Sequence, residues 1–154
     1  MPLTLASMPS AAVEALRQFA PTFVPFADSG YPKAVVAAAR MFGFHGLMVI
    51  RADLQGLERV DYAVAGTDAT GIRVIALFAE ANGTYLPVIV TNWSEKGTVL
   101  HAARPLQLMR DPPCARPCGS AVIIIPLGSA AVRGNERWVW AAAQRRFVLE
   151  EFPD

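Results

Sequence analysis

Two cysteines, two histidines and an aspartate pair are the side chains whose types and spacing could do chemistry in this sequence of 154 residues. Cys114-Ala-Arg-Pro-Cys118 sits in a proline-rich stretch, where a disulfide closes if the two Cα atoms come within about 7 Å; a pair of free thiols is the alternative. Adding His101 and His45 makes a four-ligand zinc set by count, but the spacings match no finger or ribbon. Nucleophilic catalysis has no Gly-x-Ser-x-Gly elbow before a helix, and Glu150-Glu151 would point to opposite faces of a strand. Asp53 and Asp61, with Gln55 and Gly56 between them, read from the residues alone as a turn whose carboxylates bond backbone N–H groups. Trp93, Arg137 and Arg145 have the composition of interface anchors. Trp138 and Trp140, two apart, share one face of a strand and read as core.

The elements that must position these residues change character near residue 46. Before it, Ser10 can cap a helix with Val13, Leu16 and Phe19 on one face, ended by Pro21. Pro21, Pro25 and Asp28-Ser-Gly30 make a turn-rich connector. Pro32 opens a second helix closed by Gly43, with Val35, Val36, Ala39 and Met41 or Phe42 as its buried stripe; a strand through Val35-Val36 is the alternative. From Gly46 onward, short apolar runs separated by turn residues predict antiparallel sheet over 47–52, 60–65, 72–79, 85–91, 98–102 and 121–125. Residues 66–71 read as a turn, and Asn82-Gly83 as a hairpin reversal. Pro87 puts its strand at an edge or a bulge. Residues 104–120 hold four of the twelve prolines and both cysteines, and read as a long surface loop. Residues 138–141 and 147–152 read as a closing hairpin, with one helix over 136–150 as the alternative. The expectation is a single α+β domain over 1–154, mainly antiparallel sheet of about seven to eight strands. One or two N-terminal helices (1–45) would pack on the sheet region (46–154).

Composition narrows the function classes. A hydrophobic content of 53% supports a real core, in a chain long enough to bury roughly 68–70% of its unfolded surface. Charged residues are only 18%, so much of the surface is neutral or covered by a partner. A formal charge of +1 argues against a generic nucleic-acid binder, which needs clustered Lys and Arg to neutralise phosphates. The longest apolar stretches, such as Val122 to Leu127, fall far short of the ~20 residues of a membrane span. The N-terminus lacks the charged and apolar regions of a signal peptide, which leaves a cytosolic chain or a mature one.

The stretch Arg51-Ala-Asp-Leu-Gln-Gly-Leu-Glu-Arg-Val-Asp-Tyr-Ala-Val64, an acidic loop feeding a strand, resembles the calcium loop of FG-GAP/VCBS-type repeats. Ile72 to Phe78, Asn82-Gly83 and Tyr85 to Val90 continue the likeness, which covers 47–91. Trp138-Val-Trp140 and Arg146-Phe-Val148 extend it over 120–152. The resemblance implies a hard-cation site in which Asp53, Gln55 and Asp61 offer oxygens, calcium being the ion such ligands suit. Two positions depart from the pattern: Leu57 replaces a carboxylate, and Glu58 stands where a glycine would make the sharp turn. The resemblance further implies a periplasmic or secreted protein, with the cytosol as the other option, and hence a disulfide between Cys114 and Cys118.

The reading that follows is a non-catalytic binding protein with a protein partner, an inhibitor or immunity-type protein against a secreted bacterial effector. No cofactor is expected, apart from calcium at the acidic loop. A calcium-stabilised structural module is the second reading. A metal-dependent enzyme using Cys114, Cys118 and His101 is the third. Its nearest pattern is the His-x-Glu…Pro-Cys-x-x-Cys signature of zinc deaminases, in which the proton-shuttling Glu is required; Ala103 occupies that place here.

Overall fold

The computed structural model describes residues 3–43, 45–93, 105–111, 119–127 and 134–150. Prolines set both helix starts. Pro9 (φ −56°) precedes α1 (Ser10–Phe19), and Pro32 (φ −59°) precedes α2 (Lys33–Met41); the fixed pyrrolidine φ is already helical. Of the expected face of α1, Leu16 is buried and Val13 packs partly buried against the core, with Ala12 buried beside them, whereas Phe19 is 45% exposed. In α2 only Ala39 is fully buried, while Met41 is 75% exposed and Phe42 45%. The expected stripe therefore stops one turn short. Phe42 lies past the helix end with φ −114°, so the helical spacing that would have turned it inward no longer applies.

The strands form two antiparallel sheets. The first contains β1 (Val24–Pro25), β2 (Val49–Ala52), β3 (Asp61–Asp68), β4 (Gly71–Ala79) and β5 (Tyr85–Trp93). β1 and β2 lie in tandem on one edge of β3: Ala52 faces Asp61 and Val49 faces Val64, and farther along Pro25 faces Gly66. β4 and β5 follow on the other side. The second sheet is a meander of β6 (Leu106–Arg110), β7 (Val122–Pro126), β8 (Glu136–Ala141) and β9 (Arg146–Glu150). The sheets are joined through the segment ahead of β2. Gly46 N–H donates to the Leu108 carbonyl (2.9 Å), and Leu108 N–H donates to the Leu47 carbonyl (2.9 Å).

Alternation along β3 and β4 divides the apolar residues between two cores. Ala63, Ala65, Val74, Ala76 and Phe78 meet Leu106, Leu108, Val122, Ile124 and Phe147 of the second sheet. Tyr62, Val64, Ile75 and Leu77 point the other way, to Ala12, Leu16 and Ala39 of the helices. The first sheet is thus buried on both faces, which is why six consecutive residues at the start of β3 are buried. The result is α+β and mainly antiparallel sheet, as the pattern of apolar runs predicts.

Several local expectations need correcting. Residues 66–68 continue β3 instead of turning: Gly66 faces Arg73 of β4 as well as Pro25 of β1. A Cβ at Gly66 would run into the Val24 carbonyl and lie 2.7 Å from the Phe23 ring, so glycine here permits close strand approach. The expected loop at 104–120 contains β6, whose Leu106 and Leu108 are fully buried. The expected connector contributes β1. Over 136–150 the hairpin is what forms, with Val139 facing Val148 and Trp140 facing Phe147. β5 is the last strand on its side of the sheet and carries Pro87 opposite Leu77, as a residue with no N–H requires. The register also slips between Val74 and Ile75, leaving a bulge in β5. The expected strand at 98–102, together with His101, Cys114 and Cys118, lies outside the described residues. Among the described residues no helix is long and apolar enough to cross a membrane.

Candidate functional site

The acidic loop is built from its own backbone. Asp53 accepts N–H bonds from Gly56 (2.9 Å), Leu57 (3.1 Å) and Glu58 (2.8 Å). Gly56 (φ 75°) and Glu58 (φ 58°) both take the left-handed conformation. Glu58 therefore adopts the geometry for which glycine is the usual residue, held there by the Asp53 carboxylate. Asp61 has no exposed surface. It accepts from Leu54 N–H (2.9 Å), Ala79 N–H (2.8 Å) and the Gln55 side-chain amide (3.3 Å). The Ser120 N–H donates to the Asp53 carbonyl (2.7 Å), and Gly119 sits against Leu54 too closely for any Cβ. One loop thus ties together the β2 end, the β4 end and the entry to β7. Burial pushes the Asp61 carboxyl upward, against the pull of its bonds to Ala79, Leu54 and Gln55, and the nearby Asp53 charge adds to the rise.

This donor set does not fit calcium. The ion needs six to eight oxygens facing inward, whereas here the carboxylate oxygens face N–H donors, and Gln55 turns its NH2 to Asp61. Among the described residues no group of three or more His, Cys, Asp and Glu side chains converges. Millimolar calcium, or a chelator, is accordingly expected to leave the melting temperature within error of the untreated protein. Differential scanning fluorimetry with and without EDTA checks this.

The aromatic and arginine candidates divide. Trp138 and Trp140 are half-buried against the inter-sheet core, and Trp140 meets Phe78 edge-on at 4.7 Å between ring centroids. Arg137 bonds Glu150 (3.1 Å) and pairs with Asp111, so it braces β8 against β9 and the end of β6. Arg145 is exposed in the hairpin turn, at φ 52°. Trp93 ends β5 opposite Ile72.

The exposed face that sequence periodicity missed is at the C-terminal end of α2. Arg40, Met41 and Phe42 follow one another there, all exposed, and the Phe42 ring lies 5.3 Å from that of His45. The signal was present as Gly43 and the end of the helical pattern, after which apolar residues no longer belong to the buried stripe. Comparison with known protein families, with curated proteins and with solved structures returned no match.

Proposed function

We propose that the chain is a non-catalytic binding protein that docks a protein partner on the α2 end, around Met41 and Phe42. The observation carrying this reading is the pair of large apolar side chains, 75% and 45% exposed, next to the exposed Arg40. Methionine, aromatic residues and arginine are the types enriched at interface centres, and here all three follow one another in sequence at an exposed helix end. An inhibitor or immunity-type role against a secreted effector, outside the cytoplasm, is the form of this function that the loop-and-strand resemblance supports.

The test compares wild type, Met41→Asp and Arg145→Glu for capture of partners from extracts of the source cell. Met41→Asp is expected to lose the captured protein, since removing a hot-spot anchor costs about 2 kcal/mol, roughly thirtyfold in Kd. Arg145→Glu, in the turn between β8 and β9, is expected to retain it. Equal capture by wild type and Met41→Asp would count against this face.

A further inference from the structure

We propose that the cavity between the end of α2, the start of β2 and the end of β6 is a receptor for a single oxyanion, a carboxylate or phosphate group. The cavity measures about 190 Å³. Arginines from three elements distant in sequence line it: Arg40 from α2, Arg51 from β2 and Arg110 from β6, with His45 beside them and Val49 and Ile50 among the apolar lining. None of the described lining residues is acidic. A guanidinium stays charged at any physiological pH, so three permanently cationic side chains line one small volume, with no carboxylate among its described lining residues. A solvated run of charge on one helix face would not bring residues together from three separate elements.

The nearest carboxylate in sequence is already committed, because Asp111 pairs with Arg137. Arg110 itself reaches the Asp111 carbonyl (3.4 Å). Among the described residues the Arg40 and Arg51 side chains enter no hydrogen bond or ion pair. The α2 C-terminus opposes an anion with about half a negative charge, which three full positive charges outweigh. Val49 and Ile50 are fully buried while Arg40 and Arg51 are exposed, so the cavity joins an apolar wall to charged side chains open to an incoming ligand. The size selects a single head group, since pockets for whole cofactors or drug-sized ligands run to about 300–1,000 Å³. This inference goes beyond the partner-binding reading and holds whether or not a protein docks on Met41.

The test titrates the full chain with inorganic phosphate and, separately, with acetate, at constant ionic strength set by sodium chloride. Arginine side-chain NMR and calorimetry provide the readouts. Saturable binding of at least one anion at low-millimolar concentration or tighter is expected. Resonances of Arg40, Arg51 and Arg110 should shift and those of Arg145 should not. Phosphate binding tighter than acetate identifies a tetrahedral ligand, and the reverse order a carboxylate. Arg51→Gln is expected to weaken binding at least about tenfold, Arg51→Lys to weaken it less, and Arg146→Gln to leave it unchanged. Absence of saturation for both anions with wild type, or identical affinity for wild type and a folded Arg51→Gln, would overturn the proposal.

Discussion

Replacing Asp61 with alanine is expected to lower the unfolding free energy by about 3–5 kcal/mol, a large share of the roughly 5–15 kcal/mol that such a domain holds. The substitution strands the Leu54 and Ala79 N–H groups in a site with no exposed surface, and each buried unsatisfied group costs about 1–3 kcal/mol. It also frees the Gln55 amide from its anchor. Asp61→Asn separates charge from shape: its oxygen can still accept from Ala79, but its NH2 would face the Leu54 N–H.

The pH dependence of that comparison has a defined sign. With the folded carboxyl pushed above the usual 3.8, the native state binds more protons than the unfolded chain between 3.8 and the raised value. The pH-dependent part of the stability Asp61 contributes is therefore complete below the ordinary carboxylate range and is lost as pH rises through the folded value. The deficit of Asp61→Asn against wild type should be widest in acid and narrow towards neutral pH. Asp68 runs the other way. Burial alone would raise it, but the Thr70 hydroxyl and amide and the Arg73 guanidinium outweigh that and hold it low, so its contribution disappears in acid. Chemical denaturation of both proteins from acid to neutral pH reads the difference directly.

Phe78→Ala should cost a comparable amount, about 3–5 kcal/mol. Phe78 is 2% exposed on β4 and meets rings from two strands of the opposite sheet, Trp140 at 4.7 Å and Phe147 at 5.8 Å. Its loss combines the transfer term of a buried aromatic with a cavity that the flanking backbones cannot close. At about 2–4 °C per kcal/mol for a chain of this size, the melting temperature falls on the order of 10 °C. A second readout distinguishes this from general weakening. In the folded variant Trp140 loses its edge-on partner, so its fluorescence should shift to the red while far-ultraviolet circular dichroism stays native. Phe78→Leu is expected to recover much of the stability and little of the spectral signature.

The strands that alternate or run apolar between strong turn signals were legible in the residues. Ile72–Ala79, Asn82-Gly83 and Tyr85–Thr91 carry their own punctuation, and Gly83 does take a positive φ of 86°. β6 was obscured because proline counts over 104–120 outweighed the Leu106-x-Leu108 alternation. β1 was obscured because two residues pairing with β3 are too few to create a period. At the acidic loop, residue types alone admitted either a cation or the backbone as partner for Asp53 and Asp61. The choice lies in Ala79, 18 residues from Asp61 in sequence, whose N–H arrives only when β3 and β4 pair. The α2 face was hidden for a related reason: spacing assigns Met41 to the helix, but not which neighbour, if any, stands over it. The three arginines of the cavity share no motif, and only the packing of α2, β2 and β6 brings them together.

The cross-connection between Leu47 and Leu108 affects how the polypeptide is made. These partners are about 60 residues apart, so joining them costs on the order of 4 kcal/mol of loop-closure entropy. The Tyr31 hydroxyl likewise donates to the Leu106 carbonyl, across a separation of 75 residues, at 2.6 Å. During synthesis, then, the amino-terminal third emerges with two docking points for a strand the ribosome has yet to translate. Until Leu106 and Leu108 emerge, the Leu47 carbonyl and the Tyr31 hydroxyl lack the partners that β6 gives them in the finished fold.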